Sequence, residues 1–285
     1  MNYKLVFISL LLLPTLAFAQ FDDSESEAAM DPKDDLSNEL TETTTEKPDE
    51  QPFEKADVSK EDISRLAQAK KSKNEAAIVK AAAEILSKDP NHLLALNTLG
   101  IFYFESKKYG ISKILFERAL RTSKQEPALY NNLGIVFLAE GDLPLAMDYF
   151  KKSIAAKSDY KIGATNLSSI YLEYGDFKRA IAPLEDGYKA TRSDLRRGDS
   201  SAIEIANNYA VALMGIGEND KAKGIYENIY EANVRNPIPY LNYAILLVEV
   251  QKKKKDAFRV ISKLKFMTED KEILRRVDEL EKKLE

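Results

Sequence analysis

Apolar residues in the stretch Pro127 to Phe150, PALYNNLGIVFLAEGDLPLAMDYF, recur at helical spacing on both sides of a Gly141-Asp142 break. That period predicts a helix, a tight turn and a second helix. The same arrangement returns along the chain. Small residues Gly100, Gly134, Ser168, Ala210 and Ala244 stand at equivalent places in successive first helices, at spacings of 34, 34, 42 and 34 residues. Twelve residues after the first four, a second small residue falls in the next helix: Ser112, Ala146, Ala180 and Ala222. In the last unit it is Ala257, one residue later, after the lysine run from Lys252 to Lys255. Four positions further on stand Phe116, Phe150, Leu184, Tyr226 and Ile261. Turns are expected at Lys108-Tyr109-Gly110, Gly141-Asp142, Gly175-Asp176 and Gly217 to Asp220.

The pattern has a direct physical meaning. Small residues at a fixed place in both helices allow close approach, and the large residue fills the space between neighbouring pairs. Each pair leaves an apolar face open, which only a stacked neighbour can bury.

A 34-residue helix–turn–helix unit of this kind resembles the tetratricopeptide repeat family, with Leu-Gly and an aromatic in the first helix and Ala and Phe in the second. Leu99-Gly100-Tyr103, Leu133-Gly134-Phe137 and Leu167-Ser168-Tyr171 carry the likeness; Tyr209-Ala210-Leu213 and Tyr243-Ala244-Leu247 soften it. The tryptophan of the family motif is missing, its places taken by Leu96, Tyr130, Ala164, Ala206 and Tyr240. The resemblance implies an all-α, right-handed α-solenoid with five repeats over 91–267.

Two pieces flank the repeats. Residues 57–90 read as a shorter, degenerate first repeat or cap, with Ala77 and Ala81 at small positions. Residues 268–285 read as an amphipathic capping helix, with Ile273, Leu274, Val277, Leu280 and Leu284 on one face; a coiled-coil partner helix is the alternative. The 42-residue spacing marks an eight-residue insertion near 190–203, expected to lengthen the flanking helices and their loop. Its cations Arg192, Arg196 and Arg197 make it either a solvated turn or a secondary contact for an acidic partner, the chain's own N-terminal arm included.

Ahead of the helices the pattern changes. Residues 1–19 combine Lys4, an apolar run from Leu5 to Leu13, Pro14 and the small-x-small ending Ala17-Phe18-Ala19. The pattern predicts a signal peptide, with cleavage expected after Ala19. A retained anchor is the alternative, although the apolar stretch falls short of the roughly 20 residues that span a bilayer. Residues 20–56 are rich in Asp, Glu, Ser, Thr and Pro and have too little apolar surface to offset ordering, so a disordered acidic linker is expected.

Charge follows that division. The net charge is −4, yet thirteen acids against three lysines give 20–56 a charge of −10, and Asp57 onward carries +5. A mildly basic body without a concentrated basic stripe argues against nucleic acid as partner. The chain has no cysteine, so disulfides, thiolate nucleophiles, Cys-ligated metals and a Cys-attached lipid are all excluded.

Catalytic chemistry finds no foothold. His92 is the sole histidine and has no second histidine or cysteine with which to form a metal site. Gly215-Ile216-Gly217 is a helix end rather than a phosphate-cradling loop. Neither a cofactor, a metal nor an enzymatic activity is expected.

Binding is expected instead. The resemblance implies that first helices line a concave groove. Two residues before the anchors stand Asn132, Asn166, Asn208 and Asn242, with Thr98 in the first unit. Such an amide row matches the alternating N–H and C=O groups of an extended peptide, or else bonds to the neighbouring helix and sets repeat stacking. Ile101, Ile135, Ser169, Val211 and Ile245, with Phe104, Leu138, Leu172, Met214 and Val248, would make the groove largely apolar, in part as core. Where carboxylate-gripping relatives use Lys or Arg, this chain has Asn97, Asn131, Thr165, Asn207 and Leu241. The expected ligand is therefore an uncharged or apolar extended segment or a partner's helix. The overall expectation is a periplasmic scaffold or adaptor for proteins of a cell-envelope assembly (motility, pilus, secretion or cell-wall machinery), or an adaptor recruiting a peptidoglycan-active enzyme.

Overall fold

The computed structural model describes residues 57–157 and 160–285. The expected signal peptide (1–19) and acidic arm (20–56) lie outside the described residues. Among the described residues the chain forms thirteen α-helices, one π-helical turn and no strand. The helices are α1 Lys60–Lys71, α2 Glu75–Lys88, α3 Leu93–Glu105, α4 Tyr109–Thr122, α5 Pro127–Ala139, α6 Leu143–Ala156 and α7 Lys161–Glu173. There follow α8 Phe177–Arg196, α9 Ser200–Gly215, α10 Asn219–Glu231, α11 Pro237–Ile245, the π-helical turn Leu246–Val250, α12 Lys254–Met267 and α13 Lys271–Lys282.

Local chemistry accounts for most boundaries. Ser59 and Asp62 form a reciprocal capping box on α1, with Asp62 N–H donating to Ser59 Oγ at 3.2 Å and Ser59 N–H to Asp62 Oδ2 at 3.0 Å. Asn74, Asp142, Asp199 and Asp270 cap α2, α6, α9 and α13 with their side-chain oxygens. Pro127 and Pro237 open α5 and α11, where a missing N–H costs nothing.

Each tight turn within a helix pair places one residue in the left-handed region. It falls seven positions after the anchor at Gly141 (φ 85°), Gly175 (φ 71°) and Gly217 (φ 85°), and eight after it at Lys252 (φ 56°) in the last unit, which has one extra residue. In the first unit the equivalent residue is Lys107 (φ 59°), not Gly110, which lies inside α4. The expected turn at Lys108-Tyr109-Gly110 therefore begins earlier, because helix–turn–helix geometry decides the position even when no glycine marks it. Lys73 (φ 52°) does the same between α1 and α2.

The described chain divides into two compact units, 57–146 and 147–285, the boundary falling inside α6. In the first, each helix from α1 to α5 packs on the next, and α3 also touches α5. Leu66, Ala82, Ile85, Leu94, Ala95 and Leu99 form a continuous core there, so α1 and α2 are packed like the later pairs. In the second unit α7 through α13 pack in succession, with α9 against both α7 and α11 and α13 against α11.

The insertion lies in the flanking helices, while their connection stays short. It extends α8 to 20 residues and α9 to 16, and only Arg197 to Asp199 connect them, with Gly198 at φ 78°. Thr191, Leu195, Ala202 and Ile203 are buried, so the two helices continue to zip together through the added turns. The extra residue before Ala257 is absorbed by the π-helical turn, where Gln251 N–H donates to Leu246 O at 2.9 Å.

α13 closes the second unit. Ile273, Val277, Leu280 and Leu284 are buried, and Glu249 accepts from Arg276 Nη2 at 3.1 Å and Lys283 Nζ at 2.7 Å.

Candidate partner groove

The anchors hold first and second helices close together. A Cβ at Gly100 would lie 2.4 Å from Phe116 Cε1, so the phenyl ring rests directly on the α3 backbone. Ser112 Oγ donates to Gly100 O at 2.8 Å, clasping α4 to α3 at the same point. Tyr226 stands where Phe116 and Phe150 stand in their units and stacks on Tyr243, with ring centroids 5.5 Å apart. Desolvation raises the Tyr226 hydroxyl well above the ordinary phenol range, and the buried Tyr226 oxygen has no partner.

The asparagines occupy the first-helix interior. Asn132, Asn166 and Asn208 are 0, 1 and 3 % exposed, and Asn242 is half-buried. Within the first unit, Asn132 Nδ2 donates to Asn97 Oδ1 at 2.8 Å, joining α5 to α3, and Asn131 Nδ2 donates to Asn132 Oδ1 at 3.2 Å. Within the second, Asn242 Nδ2 donates to Asn207 Oδ1 at 2.9 Å, joining α11 to α9, and Asn207 Nδ2 donates to Asn208 Oδ1 at 3.3 Å. The bond crosses register, from the anchor-minus-two position of one repeat to the anchor-minus-three position of the repeat before it. Pairs of amides thus link first helices to one another. Ile135, Leu172 and Val211 are likewise buried, at 0, 2 and 6 % exposure, whereas Leu138 and Met214 stay half-buried.

The open space on the first-helix face of the first unit is a cleft of about 630 Å³. Asn97, Thr98, Ile101, Phe102 and Glu105 of α3 form one wall; Ala67, Lys70 and Lys71 of α1, with Lys73, Glu75 and Ile78, form the other. Lys70, Lys71 and Lys73 are the residues that sequence reasoning missed. The alignment on anchors starts at Gly100, yet α1 continues the register one repeat earlier with Leu66 in the anchor's place. Reading back 34 residues puts Lys70 and Lys71 on the groove side of that helix, which was the available signal. The places read for a carboxylate grip, Asn97 to Leu241, all lie in the five later repeats, whereas these lysines belong to α1 and the turn after it.

The other candidates lie apart from the cleft. Arg192, Arg196 and Arg197 are exposed along the end of α8, where Arg197 pairs with Asp194. Asp194 also meets Lys161 at 3.5 Å, and these partners lower its carboxyl below the ordinary range, Arg197 most strongly. His92 sits at the N-terminus of α3, and burial lowers its imidazole pKa. No cluster of three His, Cys, Asp or Glu side chains suited to a metal occurs among the described residues.

Among solved structures, YrrB, described as a TPR protein with an unusual peptide-binding site, superposes with a TM-score of 0.56 at 13% identity, covering 70% of this chain and 99% of that one. PilF of Pseudomonas aeruginosa superposes with a TM-score of 0.56 at 18% identity, covering 67% and 83%. The C-terminal part of a TPR-containing protein from Cytophaga hutchinsonii gives 0.54 at 19% identity, covering 70% and 76%. The chain has the tetratricopeptide-repeat fold. At these identities the likeness is one of fold, and no family profile matches the sequence.

Two curated proteins align over part of the chain. An uncharacterised lipoprotein of Treponema pallidum (strain Nichols) is 28% identical over 135 residues, 47% of this chain and 61% of its own length. BBS4, a BBSome complex member from Bos taurus, is 26% identical over 173 residues, 60% of this chain and 31% of its own length. The chain thus spans less than two thirds of either relative. The missing repeat tryptophan leaves the fold intact because Leu96 and Tyr240 fill its place while staying buried.

Proposed function

We propose that this chain is an exported tetratricopeptide-repeat scaffold that holds an extended segment of a partner protein on its first-helix face. The cleft beside α3 carries the reading: apolar Ile101 and Phe102, with Asn97, Thr98 and Glu105, line one wall, and Lys70, Lys71 and Lys73, with Glu75, line the other. Such a surface suits a peptide that is apolar in the middle and acidic at one end. The amide pair around Asn132 in the first unit, and that around Asn242 in the second, each set the spacing of first helices within their own unit. Half-buried Leu138, Met214 and Asn242 extend the contact face within their own units. The work done is equilibrium binding, with no bond made or broken.

Export is supported by the composition of residues 1–19 and by the word lipoprotein in the name of the Treponema relative, although this chain has no cysteine to carry such a lipid. No helix among the described residues is long and apolar enough to cross a membrane. A periplasmic place in an envelope assembly follows from that reading, and the name of PilF lends support to envelope machinery as the class.

Site-specific photo-crosslinking tests the groove. A crosslinker at Phe102 or Lys70 is expected to capture a partner in envelope preparations, while one at exposed Arg118 on α4 captures none. Capture from Arg118 alone would remove the basis for placing the partner on first helices.

A further inference from the structure

The outward face of α12 carries two exposed phenyl rings among exposed polar and cationic residues. At 100° per residue, Lys255, Phe258, Arg259, Ser262 and Phe266 fall within a stripe about 100° wide. All five are exposed, Phe266 at 95 % and Phe258 at 48 %. Ala257, Val260, Ile261 and Leu264 form the opposite stripe and are buried, so the outer face is left over after packing is complete. The two phenyl rings stand eight residues apart, about 12 Å along the helix.

Charge surrounds them. From Lys252 to Phe266 the chain has seven cations against one anion, Asp256; Glu269 and Asp270 follow beyond the helix end. Some of these cations are engaged within the fold. Lys254 Nζ donates to Leu284 O at 2.5 Å, and Lys265 pairs with Glu281 at 2.6 Å. Arg259 and Lys263 lie over the Tyr230 ring at 4.9 and 4.3 Å. Lys252, Lys253 and Lys255 are exposed and make no ion pair among the described residues. Lys252 moreover occupies the left-handed turn position (φ 56°) just ahead of α12.

We propose that this face docks on an anionic phospholipid bilayer, with the lysines in the headgroup layer and Phe258 and Phe266 entering the boundary of the acyl chains. Two features favour a bilayer over an acidic protein. The three unengaged cations are all lysine, a point charge on a flexible stem that suits a diffuse anionic field, whereas protein interfaces are depleted in lysine and enriched in arginine. Two fully or half-exposed phenyl rings on one helix face, flanked by cations, fit the interfacial pattern of apolar residues beneath a basic rim.

Vesicle co-sedimentation of the full chain tests this. Phosphatidylcholine vesicles with and without phosphatidylglycerol are compared, because an apolar stretch such as Leu5 to Leu13 would bind both alike and the difference between them isolates the charged face. Binding is expected only to be strengthened by phosphatidylglycerol, and to weaken with added salt. Neutralising Lys252→Gln, Lys253→Gln and Lys255→Gln together is expected to weaken that increment about 100-fold, from about one kilocalorie per lysine near an anionic surface. Phe258→Ser with Phe266→Ser is expected to weaken it at least about tenfold. Unchanged helix content shows that both variants fold. Equal binding to both vesicle types, or an increment indifferent to either variant, overturns the proposal. Binding to soluble polyglutamate through the same lysines, with no phosphatidylglycerol increment, would assign the face to an acidic protein instead.

Discussion

Replacing Gly100 by alanine isolates the contact on which repeat packing rests. Helix propensity alone favours alanine by about 1 kcal/mol in a helix interior. The packing says otherwise: the new Cβ would lie 2.4, 2.7 and 2.8 Å from Phe116 Cε1, Cζ and Cδ1. Carbon atoms rest at about 3.5 to 4.0 Å, so three ring atoms must retreat together. Phe116 is 0 % exposed and has nowhere to go without moving α4. Overpacking of this kind costs up to about 3 kcal/mol, leaving a net loss of about 2 kcal/mol. In a unit of this size that is a fall of roughly 10 °C in Tm, read by circular dichroism, with hydrogen exchange assigning the loss to α3 and α4. Gly110→Ala is the control: nothing lies within 4 Å of its Cβ position, so a gain of about 0.5 kcal/mol is expected. The double variant Gly100→Ala with Phe116→Leu should lose less than the two single losses combined. A Gly100→Ala protein as stable as the parent would refute the account.

Three further outcomes follow from the same geometry. Asn132→Ala removes at least two interior amide hydrogen bonds and is expected to cost about 2 kcal/mol or more in urea denaturation, against about 1 kcal/mol for Asn242→Ala at its half-buried site; equal losses would contradict the burial difference. Tyr226→Phe deletes a buried hydroxyl without a partner and is expected to stabilise by about 1 kcal/mol, so a destabilised variant would show that the oxygen is engaged. Asp62 is buried at 2 % exposure against Lys88 Nζ at 2.5 Å, and this bond, with Ser59 and Arg65, holds its carboxyl well below the usual carboxylate range. Its stabilising effect is therefore present above the unfolded value near about 4 and lost as pH falls through the lower folded value. Acid titration followed by circular dichroism should show α1 and α2 loosening in that window, and Asp62→Asn should remove the dependence.

Legibility in sequence depended on how local the cause was. The anchors Gly100, Ser168 and Ala244 and the large residues Phe116 and Tyr226 were readable because a 34-residue period repeats the same packing problem, and each solution leaves its own residue type. The register of α1 was less visible: Leu66 is no small anchor, so Lys70 and Lys71 were not placed on the groove side. The turn after α3 was misplaced by a few residues because Lys107 holds a left-handed conformation that glycine marks elsewhere.

The sequence by itself determined the helix pairs, their period, the amphipathic character of the last helix and the absence of cysteine chemistry, since these follow from spacing and residue type. Only the tertiary structure decided where the asparagine amides point. An amide at a fixed position in each repeat is equally suited to a peptide or to the next helix, and nothing in a one-dimensional pattern distinguishes them. In the folded chain, first helices approach closely enough for Asn132 to reach Asn97 and Asn242 to reach Asn207, so amide meets amide inside the stack. The same holds for α12: its lysines and phenylalanines are visible as residues, but packing alone reveals that both phenyl rings are left facing water.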